Sequence, residues 1–497
     1  MRIARKMITK KGLTEYKATQ LRIVLVSVAV CFLFGVMSYY IFDYSVKNKQ
    51  ELIGNSYNKR QRILSERIVR GTIYSKDKDV LVSSELNENN DEVRTYHYGS
   101  MFSHALGYAL NGRMGVEKAA NYYLINSSAS VSLKSQYAAA GKKYPGDSVY
   151  TTFDLNLQKV AYEAMGQYKG AVIVTEPSTG KILAMVSKPD FDPALISVNW
   201  DFYRNDTDNA VLLNRALFGK YPPGSTFKII TALEYMREYP DSLKNYSFVC
   251  EGYYSNGDDR INCYHKNVHG KVDFLKSFAK SCNSSFANIG LSLDKDKFGK
   301  TLNQLLFNEP LPSVLVDNEE DIIVNRKTED SDMIQLVIGQ GQASISPLHL
   351  NMITSAIANN GVLMKPYDIE KIESFDGKTV KYYKPQEYGN LMSENEATLM
   401  GILLEDVVKE GTAKKLQSDE YTAAGKTGSA EIGTADKDSH AWFTGYAYQT
   451  KNITDGSAET PPPKDICVTV IIEKAGSGGE YAVPVAKRIF DAYYNAK

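Results

Sequence analysis

Ser225 stands three residues before Lys228 in the segment Tyr-Pro-Pro-Gly-Ser-Thr-Phe-Lys. A serine hydroxyl is a weak nucleophile until a base removes its proton. Residues three apart share one helix face, so the Lys228 amine can reach the Ser225 hydroxyl. A free lysine has a pKa of about 10.4, so burial or a second cation must lower it before it can act as that base. The Pro-Gly turn feeds a run with apolar Ile229, Ile230, Leu233 and Met236 at helical spacing. Ser225 therefore falls at a helix N-terminus, where unpaired N–H groups and the helix dipole favour a developing oxyanion. The S-x-x-K pattern alone says little. Ser56, Ser75, Ser178, Ser277 and Ser292 begin the same pattern, and a single match is most often a solvated helix start.

Two further short motifs change the weight of the first. Ser281-Cys-Asn283 follows Ser225 by 56 residues, although S-x-N also begins at Ser56, Ser197 and Ser393. Lys426-Thr427-Gly428 follows Ser281 by 145 residues and is the only K-T-G in the chain. Gly428 would let a substrate backbone approach a strand edge, and Lys426 with Thr427 could hold a carboxylate. Alone, each could be an ordinary structural stretch. Together and in this order they form a specific set.

The elements that must position these residues read as α+β. Asp154–Tyr168 opens on an N-cap candidate and carries Leu157, Val160, Ala161 and Ala164 at helical spacing. Residues 170–187 give two apolar runs around Pro-Ser-Thr-Gly, a β-hairpin. Ala441–Ala447 and Ile466–Glu473 read as strands separated by a polar loop that ends in three prolines. Strands at both ends of this region, with helices between, imply a sheet that gathers remote segments. Residues 151–497 are thus expected to form one large domain, and residues 43–150, polar and turn-rich, a mixed α+β pedestal.

Before the pedestal, Ile23–Phe42 runs twenty residues without a charge. At about 1.5 Å per residue this spans roughly 30 Å, the thickness of a bilayer core. Seven Lys or Arg precede it (Arg2, Arg5, Lys6, Lys10, Lys11, Lys17, Arg22), against Lys47 and Lys49 just after. The positive-inside rule leaves residues 1–22 in the cytoplasm and everything after 42 outside a single-pass anchor. Over the 497 residues, 58 Lys plus Arg balance 58 Asp plus Glu. A neutral chain of this kind is not expected to bind nucleic acid.

Four of the five cysteines follow the apolar segment. Cys250, Cys263 and Cys282 fall within 33 residues, with His269 between the last two. Such a set can supply a closed Cys₃His site for structural zinc. A Cys250–Cys263 disulfide and plain buried thiols are the competing readings. Either bridging reading would tie the segment after the Ser225 helix to Ser281 and Asn283 or to itself, and the geometry must decide.

Taken together, YPPGSTFK, SCNSSF and AAGKTGSAE resemble the three active-site boxes of the penicillin-binding proteins, whose signatures include S-x-x-K and K-T-G. Ile338–Gly361 and His440–Ala447 are similar to further stretches of that domain. RGTI (Arg70–Ile73), GRMGVE (Gly112–Glu117) and GDSVYTTFDLNLQ (Gly146–Gln158) look like the N-terminal module of class B, the monofunctional transpeptidases. Too few residues precede Arg70 for the glycosyltransferase module of class A. The chain departs from the pattern after RGTI, where Tyr-Ser-Lys-Asp-Lys-Asp replaces the usual Asp-Arg-x-Gly stretch, and at Ser429, where Thr is commoner.

The resemblance implies a penicillin-binding/serine β-lactamase-like domain with a central antiparallel sheet. It implies that Ser225 attacks the bond between the terminal D-alanines of a peptidoglycan stem peptide and forms an acyl-enzyme. Lys228 would be the general base, its pKa lowered by Lys426. Ser281 would pass protons toward the leaving amine, and Asn283 would hold the peptide amide and orient Lys228. Lys426, Thr427 and Ser429 would receive the terminal carboxylate beside Gly428. The backbone N–H groups of Ser225 and Ser429 would form an oxyanion hole, typically worth about 2.7–4 kcal/mol per donor. β-Lactams would acylate Ser225 and stay, and no cofactor is needed for the chemistry. Expected partners are stem peptides, the membrane and a polytopic glycan polymerase. The rival readings are a D,D-carboxypeptidase, a β-lactamase, a β-lactam sensor and a non-catalytic cell-wall scaffold.

Overall fold

The structure is a computed structural model that describes residues 2–48, 66–257, 259–316, 320–432, 439–449 and 464–495. Residues 49–65 of the pedestal expected over 43–150, and the proline-ended loop within 450–463, lie outside the described residues. The chain forms two compact units, residues 1–66 and 67–497.

In the first unit a helix runs over Arg2–Lys47. Its segment Glu15–Lys47 is long and apolar enough to cross a membrane, and none of its most apolar stretch is buried. Ile23, Leu25, Phe32, Leu33, Phe34 and Phe42 are all exposed. Exposure of a continuous apolar surface is what a lipid-facing helix requires.

The second unit is built on a five-stranded antiparallel sheet. Its strand order is Tyr421–Glu431, Ser439–Gln449, Ile466–Ile472, Gly170–Glu176 and Lys181–Lys188. The last two strands are the expected hairpin. The three central strands are buried along nearly their whole length, so both faces of the sheet are covered. Apolar runs such as 171–174 and 470–472 are the sequence counterpart of that burial. The helix Pro347–Ala358 lies against the sheet through a buried polar seam. Asn351 Nδ2 donates to Thr469 Oγ1 at 3.3 Å, and the Thr354 and Thr444 hydroxyls lie 2.7 Å apart. Helices Leu155–Met165 and Gly478–Asn495 pack on each other and on the sheet. Asp154 caps the first of them as its sequence predicts, accepting from Leu157 N at 2.9 Å.

Next to this core stands a six-stranded sheet with the order 379–382, 369–373, 148–151, 73–74, 80–86 and 92–96. Two of its strands come from beyond residue 368, and Ile372 pairs with Val149. The pedestal sheet is therefore completed by chain that also serves the catalytic half, within one compact unit. A buried ionic cluster lies at its 92–96 edge. Glu117 is fully buried and takes Arg70 Nε at 2.7 Å and Arg94 Nε at 2.8 Å, while Arg70 Nη1 donates to Asn121 Oδ1 at 2.7 Å. Burial would raise the Glu117 pKa, but the two guanidinium groups prevail and hold it below the ordinary carboxylate value. Gly71 fits because a Cβ there would meet the Asp147 carbonyl oxygen at 2.0 Å.

Candidate active site

Ser225 lies in a tight 3₁₀ turn, Gly224–Phe227, that runs directly into the helix Lys228–Glu238. The turn is held from several sides. Gly224 N donates to Gly339 O at 2.9 Å, and Trp442 Nε1 donates to Pro222 O at 3.0 Å. A Cβ on Gly428 would approach Pro223 O to 2.8 Å, so the Ser225 turn rests on the Lys-Thr-Gly strand. That strand, Tyr421–Glu431, is the edge of the five-stranded sheet. An edge offers unpaired backbone groups to an extended peptide.

Ser281 closes the helix Phe274–Ala279. Cys282 N donates to Ser277 O at 2.9 Å and Ser281 N to Phe278 O at 3.1 Å. These two bonds define a Schellman ending, whose left-handed position is usually glycine. Here it is Ser281, at φ +56°. A serine in that conformation costs roughly 1–2 kcal/mol relative to right-handed backbone. The strain turns the Ser281 hydroxyl and the next helix, Asn283–Ser292, toward Lys228.

The two lysines meet at this point. Lys228 Nζ donates to Asn283 Oδ1 at 2.7 Å, to Ser281 O at 2.8 Å and to Ser281 Oγ at 3.2 Å. Lys426 Nζ donates to Ser281 Oγ at 3.0 Å and to Thr427 O at 3.0 Å. Both lysines are fully buried. Burial pulls Lys228 down to about 8. Lys426 is held well below its ordinary value, first by burial and then by the positive charge of Lys228. Burial, not Lys426, is thus the leading cause at Lys228, in contrast to the expected ordering. A lysine with a pKa near 8 is in the range of a general base.

Ser225, Ser281, Asn283, Thr427 and Ser429 line one cleft of about 710 Å³. Ser429 Oγ accepts from Gly478 N at 3.3 Å, which fixes the end of the Lys-Thr-Gly strand under the last helix. Sequence reasoning missed Thr412, whose hydroxyl bonds the Thr427 hydroxyl and also lines the cleft. It missed Asn262 as well, whose carbonyl takes Asn283 Nδ2 at 2.9 Å.

The cysteines converge. The ligand atoms of Cys250, Cys263, His269 and Cys282 all lie within 4.8 Å of one another. Cys263 Sγ stands 3.6 Å from Cys250 Sγ and 3.8 Å from Cys282 Sγ, and Cys250 Sγ is 3.4 Å from His269 Nδ1. Tetrahedral zinc with sulfur at about 2.3 Å places its sulfurs about 3.8 Å apart. A disulfide needs about 2.05 Å. The spacing is that of ligands around a point, not of a bonded pair. The hydrogen bond with Cys282 lowers the Cys263 pKa and raises that of Cys282, while bonding to Cys263 raises His269.

Residues 170–491 match the family described as penicillin binding protein transpeptidase domain, and residues 70–149 match the penicillin binding protein A dimerisation domain. The peptidoglycan D,D-transpeptidase PbpA of Mycolicibacterium smegmatis is 29% identical over 371 residues, covering 70% of this chain and 72% of that protein. The peptidoglycan D,D-transpeptidase MrdA of Haemophilus influenzae is 27% identical over 477 residues, covering 81% and 70%. Among solved structures, the D,D-transpeptidase domain of a peptidoglycan glycosyltransferase from Eggerthella lenta superposes with a TM-score of 0.75 at 25% identity, over 86% of this chain and 99% of that one. Penicillin-binding protein A from M. tuberculosis, as its imipenem acyl-enzyme complex, gives a TM-score of 0.76 at 24% identity over 87% and 99%.

Proposed function

The chain belongs to the penicillin-binding protein transpeptidase family, and from that premise we propose how its residues cross-link peptidoglycan stem peptides. Ser225 attacks the carbonyl between the terminal D-alanines as Lys228 takes its proton. The backbone N–H groups of Ser225 and Ser429 receive the oxyanion. The proton then passes by way of Ser281 to the departing D-alanine amine, and the stem peptide remains as an ester on Ser225. The amine of a second stem attacks that ester, restores the Ser225 hydroxyl and leaves the cross-link. Asn283 orients Lys228 and the acyl peptide, while Lys426, Thr427 and Ser429 hold the terminal carboxylate over Gly428. The observation that carries this reading is the convergence of Lys228 and Lys426 on the Ser281 hydroxyl, at 3.2 and 3.0 Å, in the cleft that Ser225 lines.

The helix Arg2–Lys47 anchors the enzyme, with residues 1–22 in the cytoplasm, 23–42 in the membrane and everything after 42 outside, as the charge before Ile23 favours. Residues 43–150 act as the pedestal and 151–497 as the catalytic domain. The pedestal surface is where a polytopic glycan polymerase would dock. Cys250, Cys263, His269 and Cys282 hold a structural zinc that takes no part in the acyl transfer, a reading supported by their spacing.

A fluorescent penicillin tests the mechanism. The full chain takes the label covalently, and Ser225→Ala does not. Label that persists in Ser225→Ala removes Ser225 from the role. Cross-linked dimer from lipid-linked glycan strands, rather than trimmed monomer, separates the transpeptidase from a carboxypeptidase.

A further inference from the structure

The cysteine cluster is part of the catalytic cleft's own wall. Cys263 and His269 line the same cavity as Ser225 and Asn283. Cys282 is the peptide link between Ser281 and Asn283, and its Sγ caps the Asn283 helix by accepting from Ser285 N at 3.4 Å. Asn262, which takes the amide of Asn283, is the residue before Cys263. Any movement of these sulfurs reaches the groups that hold Lys228.

Three of the four converging groups are thiols, and sulfur is the ligand that oxidants can remove. Cys263 lies at their centre, in both of the short sulfur–sulfur approaches, 3.6 and 3.8 Å. It is also the one cysteine of the three that lines the cleft, and it keeps 2% exposure where Cys250 and Cys282 have none. We infer that Cys263 is the site of a reversible oxidation, in which a disulfide to Cys250 or Cys282 expels the zinc and switches the transpeptidase off. The inference rests on the zinc reading and the outward-facing topology given above, since oxidants reach thiols outside the membrane without the reducing pool of the cytoplasm.

The oxidant is hydrogen peroxide or a hydroperoxide of the same reactivity. The Cys263 thiolate attacks one peroxide oxygen, the O–O bond breaks, and hydroxide leaves a sulfenic acid on Sγ. The thiolate of Cys250 or Cys282 then attacks that sulfur and displaces a second hydroxide as the S–S bond forms. Two solvent protons convert the hydroxides to water, and the metal, short of two ligands, departs as Zn²⁺. The two thiolates lose two electrons and the peroxide gains them. Closing either pair to about 2.05 Å draws the sulfurs together by more than an ångström. A displacement of about 1 Å near reacting groups costs on the order of 10²-fold in rate. Where Cys282 is the partner, loss of its cap on the Asn283 helix acts in the same direction.

The test uses the full chain in detergent, prepared under reducing conditions with zinc. Zinc content, peptide-mapped thiols, thermal midpoint and the rate of acylation by fluorescent penicillin are measured before and after peroxide. The expected result is release of one zinc per chain, a disulfide that includes Cys263, and at least a tenfold slower acylation in a chain that remains folded. Dithiothreitol with added zinc restores the rate. A Cys263 thiol that survives millimolar peroxide overturns the inference, as does a disulfide that leaves acylation unchanged. Loss that accompanies global unfolding and does not reverse overturns it too. A chain that binds no zinc yet forms the bond and slows removes the zinc reading and keeps the switch. A chain that keeps its zinc and never oxidises removes the switch and keeps the zinc.

Discussion

Lys426 Nζ donates to the Ser281 hydroxyl at 3.0 Å, so the third box of the site is joined to the second through a single oxygen. The same oxygen takes Lys228 Nζ at 3.2 Å. Both amines are depressed, Lys228 by burial and Lys426 by burial and then by the charge of Lys228. The pair cannot hold two protons as readily as two surface lysines, which leaves Lys228 free to accept one from Ser225.

The first prediction is a pH dependence. Lys228 must be neutral to take the Ser225 proton, and burial brings it down to about 8. The acylation rate constant for penicillin should therefore rise with pH, with a midpoint near 8, and level off above it. Lys228→Ala should lose about 10²–10⁴-fold of the rate and the limb with it. A flat profile from pH 6 to 9 in the native chain, measured by stopped-flow labelling, would remove Lys228 as the base.

A second prediction separates strain from chemistry at Ser281. Its φ of +56° is one that glycine adopts without a steric cost. Ser281→Gly should relieve roughly 1 kcal/mol. In a unit of this size that raises the thermal midpoint by about one degree. The same change removes the oxygen between the lysines and should slow acylation sharply. Ser281→Ala should slow acylation similarly without the gain in stability. Equal acylation by native chain and Ser281→Gly would dissociate the hydroxyl from catalysis.

The third prediction concerns the pedestal. Glu117→Gln leaves Arg70 and Arg94 buried without their carboxylate, a loss of about 3–5 kcal/mol for a broken buried pair. Unfolding should come several degrees earlier while the folded fraction takes penicillin at the native rate. The sign with pH follows from the depressed folded pKa of Glu117. Its contribution is present above the unfolded carboxylate value and is lost as pH falls through the folded value, so native and Glu117→Gln midpoints should converge in acid. A parallel loss of labelling rate per folded molecule would contradict the pedestal's separation from the chemistry.

How much of this was legible in the sequence depends on the range of the contact. Ser225–Lys228 and the hairpin 170–187 are set by neighbours a few residues apart, and pattern reads them directly. Cys250, Cys263, His269 and Cys282 were legible as a set because few residue types ligate metal, while their convergence required the fold. The pairing of Ile372 with Val149 was not legible, since nothing local distinguishes that strand from one of the catalytic half. Thr412 escaped for a similar reason: a threonine after a helix end has no pattern until the Lys-Thr-Gly strand arrives beside it. The left-handed Ser281 escaped because the position normally selects glycine or asparagine, and function has placed a hydroxyl there instead.

The last prediction tests how the Ser225 turn is seated. Gly339 has φ +77°, and a Cβ on it would fall 2.0 Å from Gly224 O. That carbonyl is backbone and cannot swing aside as a side chain would. Gly339→Ala must therefore push the Gly224–Phe227 turn away from its support, and with it Ser225. Gly341, two residues on, offers a control. It also has a positive φ of +68°, but its Cβ would meet only the Gln335 side chain, at 3.3 Å. Both variants carry the cost of a left-handed alanine, on the order of 1–2 kcal/mol, and Gly339→Ala bears that of the displaced turn in addition, so it should be the less stable of the two. Their acylation rates should differ further, even per folded molecule. A shift of Ser225 by about an ångström predicts a loss on the order of 10²-fold for Gly339→Ala, against a few-fold at most for Gly341→Ala. Stopped-flow labelling with fluorescent penicillin on the folded fraction of each variant measures the difference. Similar rates in the two would mean that the Gly339 backbone does not set the position of the nucleophile.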